Sequence, residues 1–363
     1  MPYAILVINP GSTSTKLAIF HDDVESVSET IAHDAATIAQ FGDLMDQLPM
    51  RLAIAKDFLS RHRAVWQELS AIACRGGLLH PLKSGTYLVS EKMVRELREH
   101  AAGVHASNLA ACIGYELSLE SNIPAYVVDP VVVDELQPLA RLSGLKGVER
   151  RSIFHALNQK AVARQAAADM GQPYEALDLI MVHLGGGISV GAHRHGKVID
   201  VNNALNGDGP FAPERAGSLP AVGLAKMCFS GRYTQAEVMK MLAGKGGLVN
   251  HLETNDARIV ETRIEGGDLH AQLVYTAMAY AVAKTVGEMA TALEGRVDAI
   301  ILTGGIARSE VLVEEISRRV QFIAPVRVYP GEDEMRALAV GTLRVLDGSV
   351  PALSYAGGID SCS

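Results

Sequence analysis

The stretch ILVINPGSTSTKLAIF, residues 5–20, places a turn of small and polar residues between two apolar segments. Short apolar runs bounded by turn residues are typical of buried strands, so we predict strands at residues 4–9 and 17–21. Backbone N–H groups in a small-residue turn that follows a strand can bind a phosphate. Taken alone, the turn is equally compatible with a tight connection that holds no ligand.

The same arrangement occurs twice more along the chain. HLGGGISVGAH, residues 183–193, ends a predicted strand at 179–184 and begins another at 188–193, which pairs with residues 197–200. LTGGIARSE, residues 302–310, ends a predicted strand at 298–303 and leads into a helix at 309–320. We interpret the first two turns as an internal duplication. Three such turns in one chain favour a phosphate-binding site over three turns without a ligand.

The turns do not match the two common phosphate-binding motifs. The chain contains no G-x-x-x-x-G-K-[ST] sequence, which excludes a P-loop protein. Val190 stands where the triple-glycine turn would need the last Gly of G-x-G-x-x-G, and a strand follows it instead of a helix, which disfavours a dinucleotide-binding fold. The interpretation that remains is a phosphate held between two β-hairpins, one from each duplicated half.

Composition narrows the class of protein further. The 363 residues include 33 Lys+Arg and 41 Asp+Glu, a formal net charge of −8, which argues against nucleic-acid binding. The 34 glycines, about 9% of the chain, exceed the usual ~7%. The four cysteines form no C-x-x-C pair. No apolar run could span a membrane, and the first one is too short for a signal peptide, so we expect a cytoplasmic protein with no membrane partner.

Strands alternate with helices of ten or more residues, which indicates an α/β architecture. We expect a compact hinge near residue 150 to divide two domains. The further strands are predicted at 71–75 and 125–128, and the helical segments at 35–69 (which contains Trp66), 94–102, 106–118, 154–170 and 271–293. We expect the helix at 271–293 to pack against the sheet of the second domain.

ILVINPGSTSTKLAIF resembles the first phosphate segment of the acetate and butyrate kinases. HLGGGISVGAH is similar to their second phosphate segment, and LTGGIARSE to their adenosine segment, so the resemblance runs from residue 4 to about residue 346. The sequences NPGSTSTK and HLGGGIS resemble those of the butyrate kinases more than those of the acetate kinases. The resemblance implies two duplicated actin-like (RNase H-like) domains with a nucleotide cleft between them. One would comprise residues 1–150, completed by 330–363, and the other residues 151–329.

The resemblance also implies an activity, the reversible phosphorylation of butyrate or a related short or branched carboxylate by ATP. A carboxylate is already ionised at pH 7, so it needs no general base, but it must approach a polyanionic phosphate. Arginine suits this task because its planar fork matches carboxylate and phosphoryl oxygens. Arg75 and Arg215 match arginines that the family uses on substrate and phosphoryl group. His155 would stabilise the transferred phosphoryl group, and His105 would lie near the substrate.

Further roles follow from the same resemblance. Glu334 matches the family's metal-linked glutamate and Asp129 its active-site aspartate, and with Asn9 they imply a Mg²⁺ ion bound alongside ATP. Beside its adenosine-binding residues, the family commonly has a larger apolar residue at the position where this chain has Ala257. The residues expected to bind ATP are Asn9, Ser12, Ser14, Lys16, His183, Gly185, Gly186, Gly187, Asp256, Arg258, Gly304, Gly305 and Ile306.

Several alternatives stay open at this point. Within the family, the preferred acid could be acetate or propionate. From another class, an actin- or Hsp70-like protein would use the nucleotide to control binding, and a sugar kinase would share the fold. His193 and His195 could share a ligand, but with no third ligand nearby we favour a solvated hairpin. The family suggests a homodimer or a higher homo-oligomer.

Overall fold

The computed structural model describes residues 2–62, 68–205 and 208–357. It divides into two compact units, the first comprising Met1–Val133 with Asp333–Ser363 and the second Asp134–Glu332. The part of the predicted helix at residues 63–67, including Trp66, lies outside the described residues. None of the described helices is both long enough and apolar enough to cross a membrane.

Eleven strands occur in the described residues, and they form two sheets. The first sheet has the order β3-β2-β1-β4-β6-β5 and the second has the order β11-β10-β7-β8-β9. The strands are β1 Ala4–Pro10, β2 Ser14–His21, β3 Val24–Ala32, β4 Leu69–Arg75, β5 Thr86–Leu88, β6 Ala125–Val128, β7 Asp178–Leu184, β8 Ile188–Arg194, β9 Lys197–Val201, β10 Ala299–Gly304 and β11 Val326–Pro330.

Thirteen α-helices occur in the same residues, and short 3₁₀ segments supplement them at Leu44–Gln47, Tyr174–Ala176 and Gly305–Arg308. The helices are α1 Ala35–Ile38, α2 Leu48–Arg61, α3 Glu91–Arg98, α4 Asn108–Ser121, α5 Pro138–Arg141, α6 Ala156–Asp169, α7 Ala221–Cys228, α8 Gln235–Leu242, α9 Gly247–Leu252, α10 Ala257–Glu265, α11 Leu269–Ala292, α12 Glu310–Val320 and α13 Glu334–Leu346.

The two sheets repeat one topology. In the first, β1 pairs antiparallel with β2, which pairs antiparallel with β3, while β4 and β6 follow in parallel on the other side. In the second, β7, β8 and β9 form the same antiparallel series, and β10 and β11 follow in parallel. Because parallel strands end at one edge, each sheet gathers three strand ends there. The predicted α/β class and the duplication are confirmed.

Long buried runs explain why the central strands were found correctly. All seven residues of β1 and of β7 are buried, and α11 packs its buried side against β8 in the core of the second unit, as expected. The prediction of a mostly helical segment at residues 35–69 holds for its described part up to Arg61, where α1, a 3₁₀ segment and α2 follow one another, but its last residue is wrong, because β4 begins at Leu69. The sequence analysis also missed β3, an exposed edge strand with little apolar surface.

Candidate active site

The first unit brings three of the predicted site residues to the carboxyl ends of its parallel strands. Asn9 lies near the end of β1, Arg75 is the last residue of β4, and Asp129 comes directly after β6. The register aligns Arg75 with Val128, the residue before Asp129. The carboxyl edge of a parallel sheet is where α/β proteins commonly build ligand sites, so this edge is the candidate site in the first unit.

Arg75 is held by two of the other predicted residues. Its Nη1 donates to Oε2 of Glu334, the first residue of α13, and lies 3.3 Å from Asn9 Oδ1. Asn9 Nδ2 in turn donates to the same Glu334 oxygen at 3.0 Å. The Arg75 and Glu334 side chains are about one-fifth exposed. The contacts therefore fix the direction of the guanidinium while part of it still reaches solvent.

Asp129 is nearly fully buried and its carboxyl group is oriented by two donors. Oδ1 accepts hydrogen bonds from Ser84 Oγ at 2.6 Å and from the Gly85 N–H at 2.8 Å. The backbone of Asp129 has φ 35°, a left-handed conformation that few residues other than glycine adopt and that clusters at functional sites. A Cβ at Gly76 would lie 2.1 Å from Pro130 Cβ, so only glycine fits where these loops meet.

The oxygen atoms of Asp129, Glu334 and Asn9 are of the type that Mg²⁺ prefers. In the described residues, no group of three or more His, Cys, Asp or Glu side chains could hold a metal by itself. That donor set fits Mg²⁺, which keeps several waters and phosphate oxygens and needs only one or two carboxylates. Because Glu334 and Asn9 both face Arg75, a cation bound through those atoms would compete with that contact.

A buried arginine shapes the turn at residues 11–14, the first of the predicted phosphate turns. Gly11 N–H donates to Ser14 O at 2.8 Å and closes the turn, while Arg51 of α2 donates to the carbonyls of Gly11, Ser12 and Ser14 at 2.9–3.2 Å. Arg51 binds the carbonyl groups of this turn, while Ser12 is exposed and Ser14 is half-buried. Lys16 is exposed and lies opposite Asn9 in the β1–β2 ladder.

In the second unit, the two other glycine turns lie side by side. The turn Gly185–Gly187 joins β7 to β8, and Gly304 ends β10, which is paired with β7. Gly304 has φ 93°, and a Cβ there would lie 2.3 Å from Leu184 O, so any other residue would be strained. Gly305 and Ile306 continue into the 3₁₀ segment. The predicted phosphate and adenosine segments thus share one edge of the sheet.

Glu332, which the sequence analysis did not assign, connects these two turns. Its Oε1 lies 3.2 Å from His183 Nε2 and accepts a hydrogen bond from the Gly305 N–H at 3.4 Å. An imidazole and a backbone N–H that face a carboxylate oxygen can equally face a phosphate oxygen. The only signal in the sequence was its position two residues before Glu334.

The histidines predicted for the second unit lie together beside the triple-glycine turn. The rings of His155 and His183 are stacked, with centroids 3.8 Å apart and an interplanar angle of 12°. His183 Nδ1 lies 2.7 Å from Asn158 Oδ1, and His155 Nδ1 lies 2.9 Å from Ser189 Oγ. Asn158 and Ser189 were also missed, because neither residue type carries a signal in the sequence.

Arg215 stands next to the same turn with hydrogen-bonding capacity unused. Its side chain is about one-fifth exposed, and Nη1 makes only long contacts of 3.4 Å to Glu214. Its Nε is buried and has no hydrogen-bond partner in the described part of the chain. The Glu214 N–H donates to Gly186 O at 3.1 Å, which ties this loop to the turn. An anion bound there would satisfy a donor that otherwise costs about 1–3 kcal/mol.

The remaining predicted residues make local contacts of their own. Asp256 caps α10 and pairs with Arg258, whose N–H groups lower the pKa of Asp256 to about 2. The Arg258 side chain is otherwise largely exposed. His105 is exposed and lies just before α4, where its Nδ1 accepts from the Ser107 N–H at 3.2 Å. The adenosine and substrate roles of these residues stay predictions.

The expectation of a solvated hairpin was wrong for one of the two adjacent histidines. His193 is fully buried in β8, whereas His195 is exposed in the turn that follows, with φ 49°. His193 Nδ1 lies 2.7 Å from the Tyr174 hydroxyl. Burial, and the charges of Lys160 and Arg164, hold the pKa of His193 well below its usual range. This side chain is therefore neutral in the folded protein.

A neutral buried histidine makes stability depend on pH. As pH is lowered below about 6.5, the unfolded chain binds a proton at His193 that the folded chain does not, so the free energy of unfolding falls. We expect His193→Gln, which cannot titrate, to weaken this dependence. Urea denaturation of both proteins between pH 5 and 8 measures it. Equal slopes against pH would contradict the neutral assignment.

The fold defines a class of protein, one with an actin-like architecture of two units and duplicated sheets. Solved structures that share the fold include the following three. Acetate kinase of Porphyromonas gingivalis has a TM-score of 0.76 at 18% identity and covers 95% of this chain and 100% of its own. A propionate kinase from Francisella tularensis has a TM-score of 0.74 at 19% identity, covering 93% and 98%. Acetate kinase from Entamoeba histolytica has a TM-score of 0.73 at 17% identity and covers 93% of this chain and 98% of its own.

The model of the acetokinase family matches residues 141–326, just over half of the chain. The chain belongs to the acetokinase family. It is thus a phosphotransferase of the class that acts on ATP, normally with a divalent metal, and on a short-chain carboxylate. Membership of this family favours a carboxylate kinase over the sugar kinase and the nucleotide-operated binding protein considered from the sequence.

Proposed function

We propose that this protein is a Mg²⁺-dependent butyrate kinase, which reversibly transfers a phosphoryl group from ATP to butyrate or a similar short carboxylate. The observation that carries the proposal is Arg215, whose buried Nε lacks a partner in the described residues and whose loop is tied to the triple-glycine turn. Guanidinium donors left unused beside a phosphate turn suit an anion. The preference for butyrate is supported by the wording NPGSTSTK and HLGGGIS.

The reaction requires charge neutralisation more than proton removal. The carboxylate is ionised at pH 7 and attacks without a base, so the barrier comes from the approach of two anions and from their alignment. In this proposal Arg75 and Arg215 bind the carboxylate and the transferred phosphoryl group. Asn9 and Glu334 set the direction of Arg75 through the contacts described above. The glycine turns would hold the other phosphates through backbone N–H groups.

The acidic residues take a different part. Asp129, Glu334 and Asn9 would hold Mg²⁺, which when bound supplies positive charge to the ATP phosphates. Asp129 would not act as a base, because the substrate has no proton to lose. Its buried carboxyl group, held by Ser84 and Gly85, is suited to a fixed orientation. We also propose that the protein is cytoplasmic, the location expected from the sequence, and homo-oligomeric, as the family resemblance implies.

Hydroxylamine trapping tests the activity. Incubated with ATP, Mg²⁺, hydroxylamine and butyrate, the protein is expected to form butyryl hydroxamate in proportion to ADP. Acetate, propionate, isobutyrate and valerate should each react more slowly at equal concentration. A faster reaction with acetate or propionate would move the preference to those acids. No hydroxamate with any of the five at millimolar concentration would contradict the proposed function.

A further inference from the structure

Five side chains of the second unit are joined end to end by hydrogen bonds, from Tyr174 to His155. The Tyr174 hydroxyl lies 2.7 Å from His193 Nδ1, and His193 Nε2 lies 2.9 Å from Gln159 Oε1. Gln159 Nε2 lies 2.8 Å from Ser189 Oγ, which lies 2.9 Å from His155 Nδ1. We call these five residues the relay. Its chemistry assigns a direction to every hydrogen bond in it.

The direction is set by Gln159, which contacts a group that can only accept. Gln159 Nε2 lies 3.0 Å from the backbone carbonyl of Ser189 as well as 2.8 Å from its hydroxyl. A carbonyl oxygen has no proton to give, so the amide nitrogen of Gln159 must face it and donate. Both protons of that nitrogen are then used on Ser189. The amide oxygen of Gln159 consequently points at His193.

The orientation of Gln159 fixes which nitrogen of His193 carries the proton. The amide oxygen of Gln159 only accepts, so His193 must carry a proton on Nε2 and donate it. His193 is buried, and its lowered pKa keeps the ring neutral, so Nδ1 carries no proton. The Tyr174 hydroxyl therefore donates to Nδ1. The inner half of the relay has one consistent assignment of protons.

The hydrogen bond between Ser189 and His155 also has one favoured direction. Ser189 is fully buried, and its hydroxyl oxygen already accepts from Gln159. Among the described residues, the other atom within hydrogen-bond distance of that hydroxyl is His155 Nδ1. If His155 Nδ1 carried a proton, the buried hydroxyl proton of Ser189 would lack an acceptor, which costs about 1–3 kcal/mol. Donation from Ser189 to His155 Nδ1 removes that cost.

We propose that the relay holds His155 as the tautomer with its proton on Nε2, and that Ser189 and Gln159 are positioning residues for this histidine. His155 Cε1, the ring atom between Nδ1 and Nε2, lies 3.7 Å from where a Cβ on Gly187 would be. The imidazole ring thus borders the triple-glycine turn, and with Nδ1 bound to Ser189, Nε2 is the nitrogen left to donate. Resting on the proposed function, this gives the transferred phosphoryl group an N–H donor, whereas the other tautomer would turn a lone pair toward it.

The tautomer can be measured directly by nitrogen NMR of the whole protein labelled with ¹⁵N-histidine. At pH 8, where an ordinary histidine is neutral, we expect His155 to show a protonated Nε2 and an unprotonated Nδ1. His155→Gln identifies its signals by their loss. A protonated Nδ1 in the wild-type protein would overturn the proposal, and this result requires no variant to fold.

Variants of the relay give a second test. Ser189→Ala should shift His155 toward a mixture of tautomers, and Ser189→Thr, which keeps the hydroxyl group and suits a strand, should restore the single form. Thr285→Val removes a buried hydroxyl group from α11 outside the relay and is the matched control. Tyr174→Phe should alter the signals of His193 but not those of His155, because Gln159 is fixed by the Ser189 carbonyl. An unchanged His155 tautomer in Ser189→Ala would refute the assignment.

Kinetics separate a positioning role from a purely structural one. If Ser189 sets the tautomer, Ser189→Ala should lower kcat about fivefold, the loss of one hydrogen bond, with the KM for ATP nearly unchanged. A rise in KM with unchanged kcat would count against positioning. The NMR measurement uses no substrate, so an inactive wild-type protein with the expected tautomer would remove the proposed function and leave the relay standing.

Discussion

Arg215→Ala should lower the kcat for acyl phosphate formation at least about 10²-fold, the usual loss when a fixed group that stabilises transition-state charge is removed. The fold should survive, because the Arg215 guanidinium makes only long contacts to Glu214, while its backbone is held by bridges to Ala212 and Ala243. Unfolding midpoints that match the wild type, together with the hydroxamate assay, would separate loss of chemistry from loss of structure.

Arg75→Ala should lower kcat by a similar factor, and it should also change the surroundings of Glu334. Removing the Arg75 guanidinium leaves the Glu334 carboxylate with Asn9 as its remaining described contact at Oε2. One control is available. Arg318→Ala removes an exposed arginine paired with Glu315 on α12 and should leave the rate within twofold of the wild type. Near-normal rates in Arg75→Ala and Arg215→Ala would refute both assignments.

The central strands could be predicted from the sequence because they are continuous apolar runs bounded by glycine turns, and the repeated turns together with the family resemblance predicted two duplicated domains. β1 and β7 were identified to within one residue at each end. The edge strand β3 was missed because it alternates exposed and half-buried residues and depends on pairing with β2. An edge strand of this kind is specified by its neighbour more than by its own pattern.

The candidate site was predicted unevenly for a similar reason. Residues within the turns or beside strand ends could be found locally, as Asn9, Arg75 and His183 were. Glu332 faces His183 only because β11 returns alongside β10, almost 150 residues later in the chain. Gln159 and Ser189 form the relay through a helix packed on a strand, and their residue types are common in any protein. Such contacts depend on tertiary packing that no local pattern encodes.

Arg51 is the most informative residue that the sequence analysis passed over. Arg51 lies on α2 with Ala55, Phe58 and Leu59, and these four are the buried residues of that helix. Their spacing of four, seven and eight residues is the apolar stripe of a helix, so Arg51 occupies a core position. A charge in such a stripe is a signal that a helical pattern alone does not explain. Burial without a charged partner lowers its pKa.

Arg51→Ala should be among the most destabilising substitutions in the first unit, by about 3–5 kcal/mol. Arg51 is fully buried and donates to Gln47 Oε1 and to the carbonyls of the first phosphate turn, with no carboxylate partner in the described residues. Its removal leaves several buried acceptors without donors, each costing about 1–3 kcal/mol, and creates a cavity. Because native stability is about 5–15 kcal/mol in total, the loss should appear as a large fall in the urea midpoint.

Two further variants divide that loss into its causes. Arg51→Met fills the volume but donates nothing, so any stability that it recovers relative to Arg51→Ala measures packing. Arg51→Lys keeps the charge with three donors in place of five, and its recovery beyond that of methionine measures hydrogen bonding to the turn. Lys56→Ala, on the exposed side of α2, is the matched control. If Arg51→Ala and Lys56→Ala unfolded at the same urea midpoint, the prediction would be wrong, because the turn would keep its shape without the guanidinium. If Arg51 does hold the turn, the KM for ATP should rise in the same order as stability falls.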